Sequence, residues 1–242
     1  MSDVEVSGNE VSSNVTVDLM VGYTDARGLR HTRVVFGKRL TGKDLFRIDS
    51  DPQSEITTQY QDLIMRASIV EFGTMTMPVP LRALLSLDSI DRDDLAAAHH
   101  RFSMTSIDGR QPEIESDTRV LMIVGYELNG LTYDVVEFGR RLTGMDEVEA
   151  DKRGYKLGSI KRVCFLAGQQ VSRLLQSNGA SELKGPIGLE VFEKLDALDL
   201  QALRLGSEVY RNSFRGTRTA LPSNGGSPHG VPDSPRDRLV RA

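Results

Sequence analysis

The chain has 242 residues, of which 39% are hydrophobic and 26% charged, enough apolar material for two domains of roughly 100 residues each. Its 30 Lys and Arg against 34 Asp and Glu give a formal net charge of −4. This mild acidity argues against a dedicated nucleic-acid binder, whose surface normally carries a basic excess. No stretch approaches the ~20 apolar residues of a membrane-spanning helix. The composition therefore predicts a soluble protein without nucleic-acid or membrane partners.

The first half of the chain predicts a strand pair. Residues 1–13 are polar and predict a disordered segment that lacks the basic and apolar parts of a signal peptide. A half-buried strand is indicated where apolar and polar residues alternate, with apolar residues at Val15, Val17 and Leu19. Turn residues at 25–28 and a second apolar run at 33–36 complete the predicted hairpin.

Helices are predicted after this hairpin. Thr41 stands three residues before Asp44, a spacing typical of a capping box at the start of a helix. Asp51 followed by proline predicts the next helix, whose apolar face continues through Val70 at helical spacing. A last helix is expected to begin near Asp91.

The second half repeats these signals. The segment Phe36-Gly-Lys-Arg-Leu-Thr-Gly-Lys-Asp44 returns as Phe138-Gly-Arg-Arg-Leu-Thr-Gly-Met-Asp146, and downstream Leu87-Asp-Ser-Ile-Asp91 returns as Leu195-Asp-Ala-Leu-Asp199. The offset is 102 residues at Phe36 and 108 at Leu87, a difference that a few inserted loop residues explain. Short motifs that recur in the same order at near-constant spacing predict that one module occurs twice.

We therefore expect an α+β fold formed by tandem duplication of a small module, a β-hairpin followed by three helices. The first module is predicted at residues 14–106 and the second at 119–212, with a linker at 107–118. Residues 213–242 are rich in Pro, Gly and Arg and predict a disordered tail, because they cannot bury enough apolar surface to offset the entropy of ordering.

One segment nearly matches a phosphate-binding loop. Gly37-Lys-Arg-Leu-Thr-Gly-Lys43 is followed by Asp44, where that loop needs a hydroxyl for magnesium, and the second copy replaces the lysine with Met145. The two copies share the glycines and the acidic residue, which predicts turn geometry and a helix cap instead of a nucleotide site.

Other candidate chemical sites also favour structural roles. His99 and His100 are adjacent and diverge on a helix, and Asp88, Asp91, Asp93 and Asp94 lack the spacing of a calcium loop. Cys164 lies on a predicted apolar face without a general base, so we expect a buried thiol and no disulfide. We expect no catalytic residues, metal or cofactor, although an enzyme with an unrecognised site remains an alternative.

A proline-bounded segment suggests a protein-binding surface. Phe72-Gly-Thr-Met-Thr-Met-Pro contains Met75 and Met77, which are flexible and apolar, qualities of surfaces that accept varied hydrophobic partners. We predict partner contacts at Phe72, Met75 and Met77. The alternative is that the two methionines fill gaps in the core.

The modules resemble a family of phage proteins. A hairpin, then Leu40-Thr-Gly-Lys-Asp44-Leu45, then helices and a stretch from Leu84 to Asp91 before the last helix, is similar to tail-assembly chaperones of long-tailed bacteriophages, of the Mu-like kind. The resemblance covers about residues 15–105 and 119–214. This chain departs from the family in carrying two copies, and the first copy lacks the proline of the family motif.

The resemblance implies a non-enzymatic function in the cytoplasm of the bacterial host. Such a chaperone binds the tape-measure protein while tail-tube subunits polymerise around it, so both proteins are expected partners, and self-association is left open. We expect client helices to bind in grooves beside the last helix of each module, near Leu95 and Leu203. The alternative is a structural tail or baseplate adaptor of the virion that uses its hairpins for strand addition.

Overall fold

The computed structural model describes residues 14–104 and 110–216, and these form an α+β fold in which both sheets are antiparallel. None of the helices within these ranges has the length and apolarity needed to cross a bilayer.

The first half consists of three strands and four helices, with one turn of 3₁₀-helix at Pro52–Glu55. The strands are β1 (Val15–Thr24), β2 (Arg30–Phe36) and β3 (Ile69–Phe72). The helices are α1 (Gly42–Asp49), α2 (Thr57–Ser68), α3 (Leu81–Leu85) and α4 (Ser89–Ser103).

The second half follows the same order of elements and has two additional strands. One precedes its hairpin, and the other directly follows the strand that corresponds to β3. Its strands are β4 (Glu113–Ser116), β5 (Arg119–Leu128), β6 (Leu131–Phe138), β7 (Val171–Leu175) and β8 (Glu182–Lys184). Its helices are α5 (Gly144–Lys152), α6 (Ile160–Gln170), α7 (Leu189–Lys194) and α8 (Ala197–Gly216). The duplication itself stays a prediction based on the sequence repeat.

The strands form one sheet in each half, with the orders β1-β2-β3 and β4-β5-β6-β7-β8. Both hairpins are irregular at the same place, between Asp18 and Tyr23 in β1 and between Leu121 and Tyr126 in β5. Gly22 and Gly125 lie in these irregularities at φ values of 72° and 74°. Only glycine adopts this conformation without strain, and a Cβ on either residue would also collide with a carbonyl of the neighbouring strand.

The third strand of each half corrects the sequence-based prediction of a hairpin followed only by helices. The apolar spacing predicts a helix that continues through Val70, and the same spacing extends to Leu174 in the second half. Instead α2 ends at Ser68 and α6 at Gln170, and the next residues form β3 and β7. Ile69 and Val171 are buried at both of these transitions, so the apolar spacing continues although the backbone changes from helix to strand.

The boundaries of the predicted linker and tail also differ from the structure. Residues 113–116 of the predicted linker form β4, and α8 continues to Gly216 into the segment predicted to be disordered from residue 213. The rest of that tail and residues 1–13 lie outside the described residues.

The core continues from one half into the other. One apolar cluster comprises residues of the first half, namely Leu40, Leu45, Phe46, Ile48, Leu63 and Leu81, together with the core of the second half around Phe138, Phe192, Leu195 and Leu203. A second cluster lies under the first sheet, around Phe36, Phe72, Leu84 and Leu95. Helix α1 therefore packs against the second half, where it contacts α6, α7 and α8.

Candidate protein-binding site

A buried carboxylate holds the irregular part of the first hairpin. The Asp91 side chain lies in the first turn of α4 and accepts backbone N–H bonds from Met20 at 2.7 Å, Val21 at 3.1 Å and Gly22 at 2.6 Å. The hairpin bends away from β2 here, so these three donors are satisfied by the carboxylate instead of a strand. Asp91 therefore fastens α4 to β1.

Asp199 has the same role in the second half. It lies in the first turn of α8 and accepts from Ile123 at 2.7 Å and from Val124 and Gly125 at 2.9 Å. Burial raises the pKa of Asp199 more than these three donors lower it. Asp199 therefore fastens α8 to the second hairpin from the first turn of that helix.

The segment that resembles a phosphate loop is a helix cap. Asp44 accepts from the backbone N–H of Thr41 and pairs with Lys38 at 3.0 Å, and Asp146 accepts from Thr143 and pairs with Arg140 at 2.8 Å. Burial by itself raises the pKa of both aspartates. The hydrogen bonds and the neighbouring cations lower it by more, so the pKa of each carboxyl lies below its ordinary value. The predicted capping boxes are confirmed at α1 and α5.

Three further candidate groups, Cys164, His99 and Asp88, are buried or already hydrogen-bonded, whereas Asp93, Asp94 and His100 are exposed. Burial raises the pKa of the Cys164 thiol to about 12, and burial together with His100 lowers the pKa of His99 to about 4. Asp88 accepts from the backbone N–H of Ile90 and caps α4. Within residues 14–104 and 110–216, no group of three or more His, Cys, Asp or Glu side chains could hold a metal ion.

The predicted partner contacts lie largely in the core, which corrects the sequence-based expectation. Phe72, Leu95 and Leu203 are at most 1% exposed, so a partner could not contact them without opening the fold. Met75 and Met77 are partly buried and pack against the core of the first half. The gap-filling alternative describes these two methionines.

A small apolar pocket lies where the two halves meet. It has a volume of about 80 Å³ and is open to solvent between the end of α4 and the start of α8. Its apolar lining comes from both halves, namely Leu40, Leu45, Ile64, Phe102, Ala197 and Leu198. We call this the junction pocket, and its size matches one or two aliphatic side chains.

Polar groups surround the junction pocket. Arg39 donates to Asp196 at 3.1 and 3.3 Å, an ion pair that joins the two halves. On the opposite side, the His99 ring lies 3.4 Å from the Ser68 hydroxyl. The low pKa of His99 keeps this wall uncharged at neutral pH.

Sequence reasoning missed the exposed apolar residues near two helix starts. Ile90 in α4 and Met145 and Val148 in α5 are 53%, 68% and 43% exposed. Two of them have buried counterparts in the other half, Leu198 for Ile90 and Phe46 for Val148, whereas Met145 corresponds to the exposed Lys43.

No protein-family model matches this sequence, and no curated protein and no solved structure is significantly similar to it.

Proposed function

We propose that this chain is a non-enzymatic tail-assembly chaperone that acts in the cytoplasm of a bacterial host. It binds the tape-measure protein of a long-tailed phage and helps to recruit tail-tube subunits. The resemblance of its two motif sets to Mu-like chaperones is the basis for the class of protein. The junction pocket is the observation that supports binding of a client.

The junction pocket suits the apolar side chains of an amphipathic helix. Helix-in-groove recognition requires an apolar depression between helices with a polar rim that fixes the orientation of the client. The pocket has both, since Leu40, Phe102 and Leu198 line it and the Arg39–Asp196 ion pair borders it. One small pocket contributes weakly, so we expect tight binding only when several copies act along one long client.

The experiment is co-expression of the full chain with an amphipathic segment of the tape-measure protein from the same phage or prophage. Ser103→Trp fills the pocket mouth, where the side chain is partly exposed. Ala97→Trp is the matched control because Ala97 is an exposed residue of the same helix outside the pocket lining. We expect Ser103→Trp to lose at least ten-fold of the client in a pull-down and the control to retain it.

Two results would contradict this function. The first is a client that is no more soluble with the wild-type chain than without it. The second is the protein in stoichiometric amount in purified virions, which would support the structural adaptor instead, because a chaperone leaves before the particle is complete.

A further inference from the structure

The two halves are joined by a short backbone contact. Thr41 and Asp196 form an antiparallel bridge, flanked by hydrogen bonds from the Gly42 N–H to the Leu195 carbonyl and from the Ala197 N–H to the Leu40 carbonyl, both 2.9 Å. The loop before α1 thus lies against the loop before α8. We call this pairing the internal contact.

Two side-chain features make the internal contact specific. Arg39 reaches Asp196, which is only 8% exposed and also caps α8 through the Leu198 N–H. Gly42 approaches the Phe192 carbonyl so closely that a Cβ would collide with it. The contact therefore needs a cation, a small residue and an acidic helix cap.

Each partner of the internal contact has a counterpart in the other half. By the repeat offsets, Arg39, Thr41 and Gly42 correspond to Arg141, Thr143 and Gly144, and Asp196 corresponds to Asp88. All four counterparts are exposed, and a Cβ on Gly144 would meet nothing within 4 Å. Each half thus carries both kinds of surface, but only one pair of them is in contact within the chain. The other pair, at Arg141–Gly144 and at Asp88, stays exposed.

Apolar residues accompany both exposed surfaces. Phe46 and Leu198 are buried in the joined halves, and their counterparts Val148 and Ile90 are exposed. Val148 and Ile90 thus occupy positions that the internal contact buries in the other copy of the repeat. Exposed aliphatic side chains at such positions are expected where a further contact is made.

Charge complementarity also favours pairing of the two exposed surfaces. Arg141 is held at the surface over the Phe214 ring at 3.7 Å, and Asp88 stands exposed at the start of α4. Glu147 and Arg92 stand at the positions of Leu45 and Leu200 of the internal contact. Each is already paired within its own half, Glu147 with Arg162 at 2.6 Å and Arg92 with Asp62 at 2.9 Å, so they add polarity to the exposed surfaces but no free charge pair. The second contact is more polar than the first, which makes it weaker and dependent on salt.

The internal contact is of the head-to-tail kind, since a loop of one half meets a different surface of the other half. A head-to-tail contact leaves one unmatched surface at each end, and repeating it between molecules produces a ring or an open filament. A symmetric contact would instead have used both pairs within one chain.

We infer that a second copy of this chain docks the start of its α5, at Arg141–Met145, onto the start of α4 in the first copy, at Asp88–Ile90. The pairing repeats the internal contact between molecules. Thr143 of one copy lies opposite Asp88 of the other, and Gly144 lies against the loop that precedes Asp88. This self-assembly needs no client and stands independently of the chaperone role.

The test uses cysteines placed at the expected bridge. Directly opposed residues of an antiparallel pair without mutual hydrogen bonds have Cα atoms about 4.5 Å apart, close enough for a disulfide. Full chains that carry Thr143→Cys and Asp88→Cys are purified separately, mixed and oxidised. Cys164 is buried and stays the same in both. Melting curves verify that each variant is folded.

We expect a disulfide-linked dimer in the mixture and at most a tenth as much in either variant alone. A Thr143→Cys dimer formed without the partner variant would show a symmetric contact and overturn the inference. Equal amounts in all three samples, or none in any of them, would overturn it as well.

A second measurement avoids the loss of a helix cap. Sedimentation of the wild-type chain over a concentration series should show growth beyond the dimer, or a closed ring, and Gly144→Leu and Asp88→Asn should each lower the association constant at least ten-fold. Asparagine also caps helices, so Asp88→Asn removes only the charge. Leu157→Ser is the control, because Leu157 is 90% exposed and lies between α5 and α6, outside both docking segments. A monomer at all concentrations, or equal loss in the control, would refute the proposal.

Discussion

The Asp91 carboxylate accepts the backbone N–H of Met20 at 2.7 Å across a separation of 71 residues. The Asp199 carboxylate makes the corresponding bond to Ile123 at 2.7 Å across 76 residues. In each half the last helix is thus fastened to the irregular part of the hairpin by one acidic side chain. Each half therefore depends on one buried carboxylate to hold its last helix against its hairpin.

Replacing Asp199 with alanine should destabilise the chain strongly. The substitution leaves the N–H groups of Ile123, Val124 and Gly125 without their acceptor, and each unsatisfied buried donor costs about 1–3 kcal/mol. We expect a loss of about 2–5 kcal/mol in the free energy of unfolding by urea. Gln201→Ala, exposed two residues later on α8, is the control and should change it by less than about 0.5 kcal/mol. Equal stabilities for the two variants would contradict this role.

The two repeat glycines before Lys43 and Met145 should respond differently to alanine. Gly42→Ala places a Cβ against the Phe192 carbonyl and should lower stability by about 1–3 kcal/mol. Gly144→Ala has open space and should be neutral or stabilising by up to about 1 kcal/mol. Thermal unfolding at a dilution where the chain is monomeric measures both. A neutral Gly42→Ala would mean that the two halves do not meet as described.

The free energy of unfolding should fall as the pH is lowered from 6.5 to 4, because the unfolded chain can protonate His99 and the folded chain cannot. Burial and His100 lower the pKa of folded His99 to about 4, whereas an unfolded histidine titrates near 6.5. The unfolded state therefore binds more protons between these values, so the contribution of His99 is present above pH 6.5 and lost as the pH falls to 4. This loss amounts to at most about 3 kcal/mol.

His99→Gln isolates this titration from that of the carboxylates. Urea unfolding of the wild type and the variant at pH 7 and pH 4.5 gives two differences in unfolding free energy. We expect the wild type to lose more stability than the variant over this interval. Parallel pH profiles would show that His99 titrates normally.

Cys164 should react with a thiol reagent only when the fold opens. The side chain is 3% exposed and burial raises its pKa to about 12, so both access and thiolate are lacking at pH 8. Labelling with a chromogenic disulfide should be at least about 100-fold slower in buffer than in urea. Rapid labelling of the native chain would contradict the packing of α6.

Local signals predicted much of the fold. The threonine–aspartate spacings gave both capping boxes, and the alternation at Val15–Leu19 gave β1. The third strands escaped because Ile69 and Val171 continue a helical apolar spacing, and periodicity alone cannot distinguish a short buried strand from the end of a helix. The helix predicted to begin near Asp91 begins two residues earlier, at Ser89.

The candidate site was less predictable because it depends on how the halves meet. Phe72, Leu95 and Leu203 have the composition of a binding surface, but apolar residues of the same kind also fill cores, and burial decides between these roles. The junction pocket combines Leu40 with Leu198, which are far apart in the chain.

The ion pair between Arg39 and Asp196 spans 157 residues, which has a consequence during translation. A ribosome that adds about 5–20 residues per second needs roughly 8–30 s to synthesise this interval. Until α6, α7 and α8 have been synthesised, the apolar face of α1, with Phe46 and Ile48, lacks the helices that later cover it. The nascent first half is therefore prone to aggregation for most of this interval, and a truncated product that ends before α6 would keep that face uncovered.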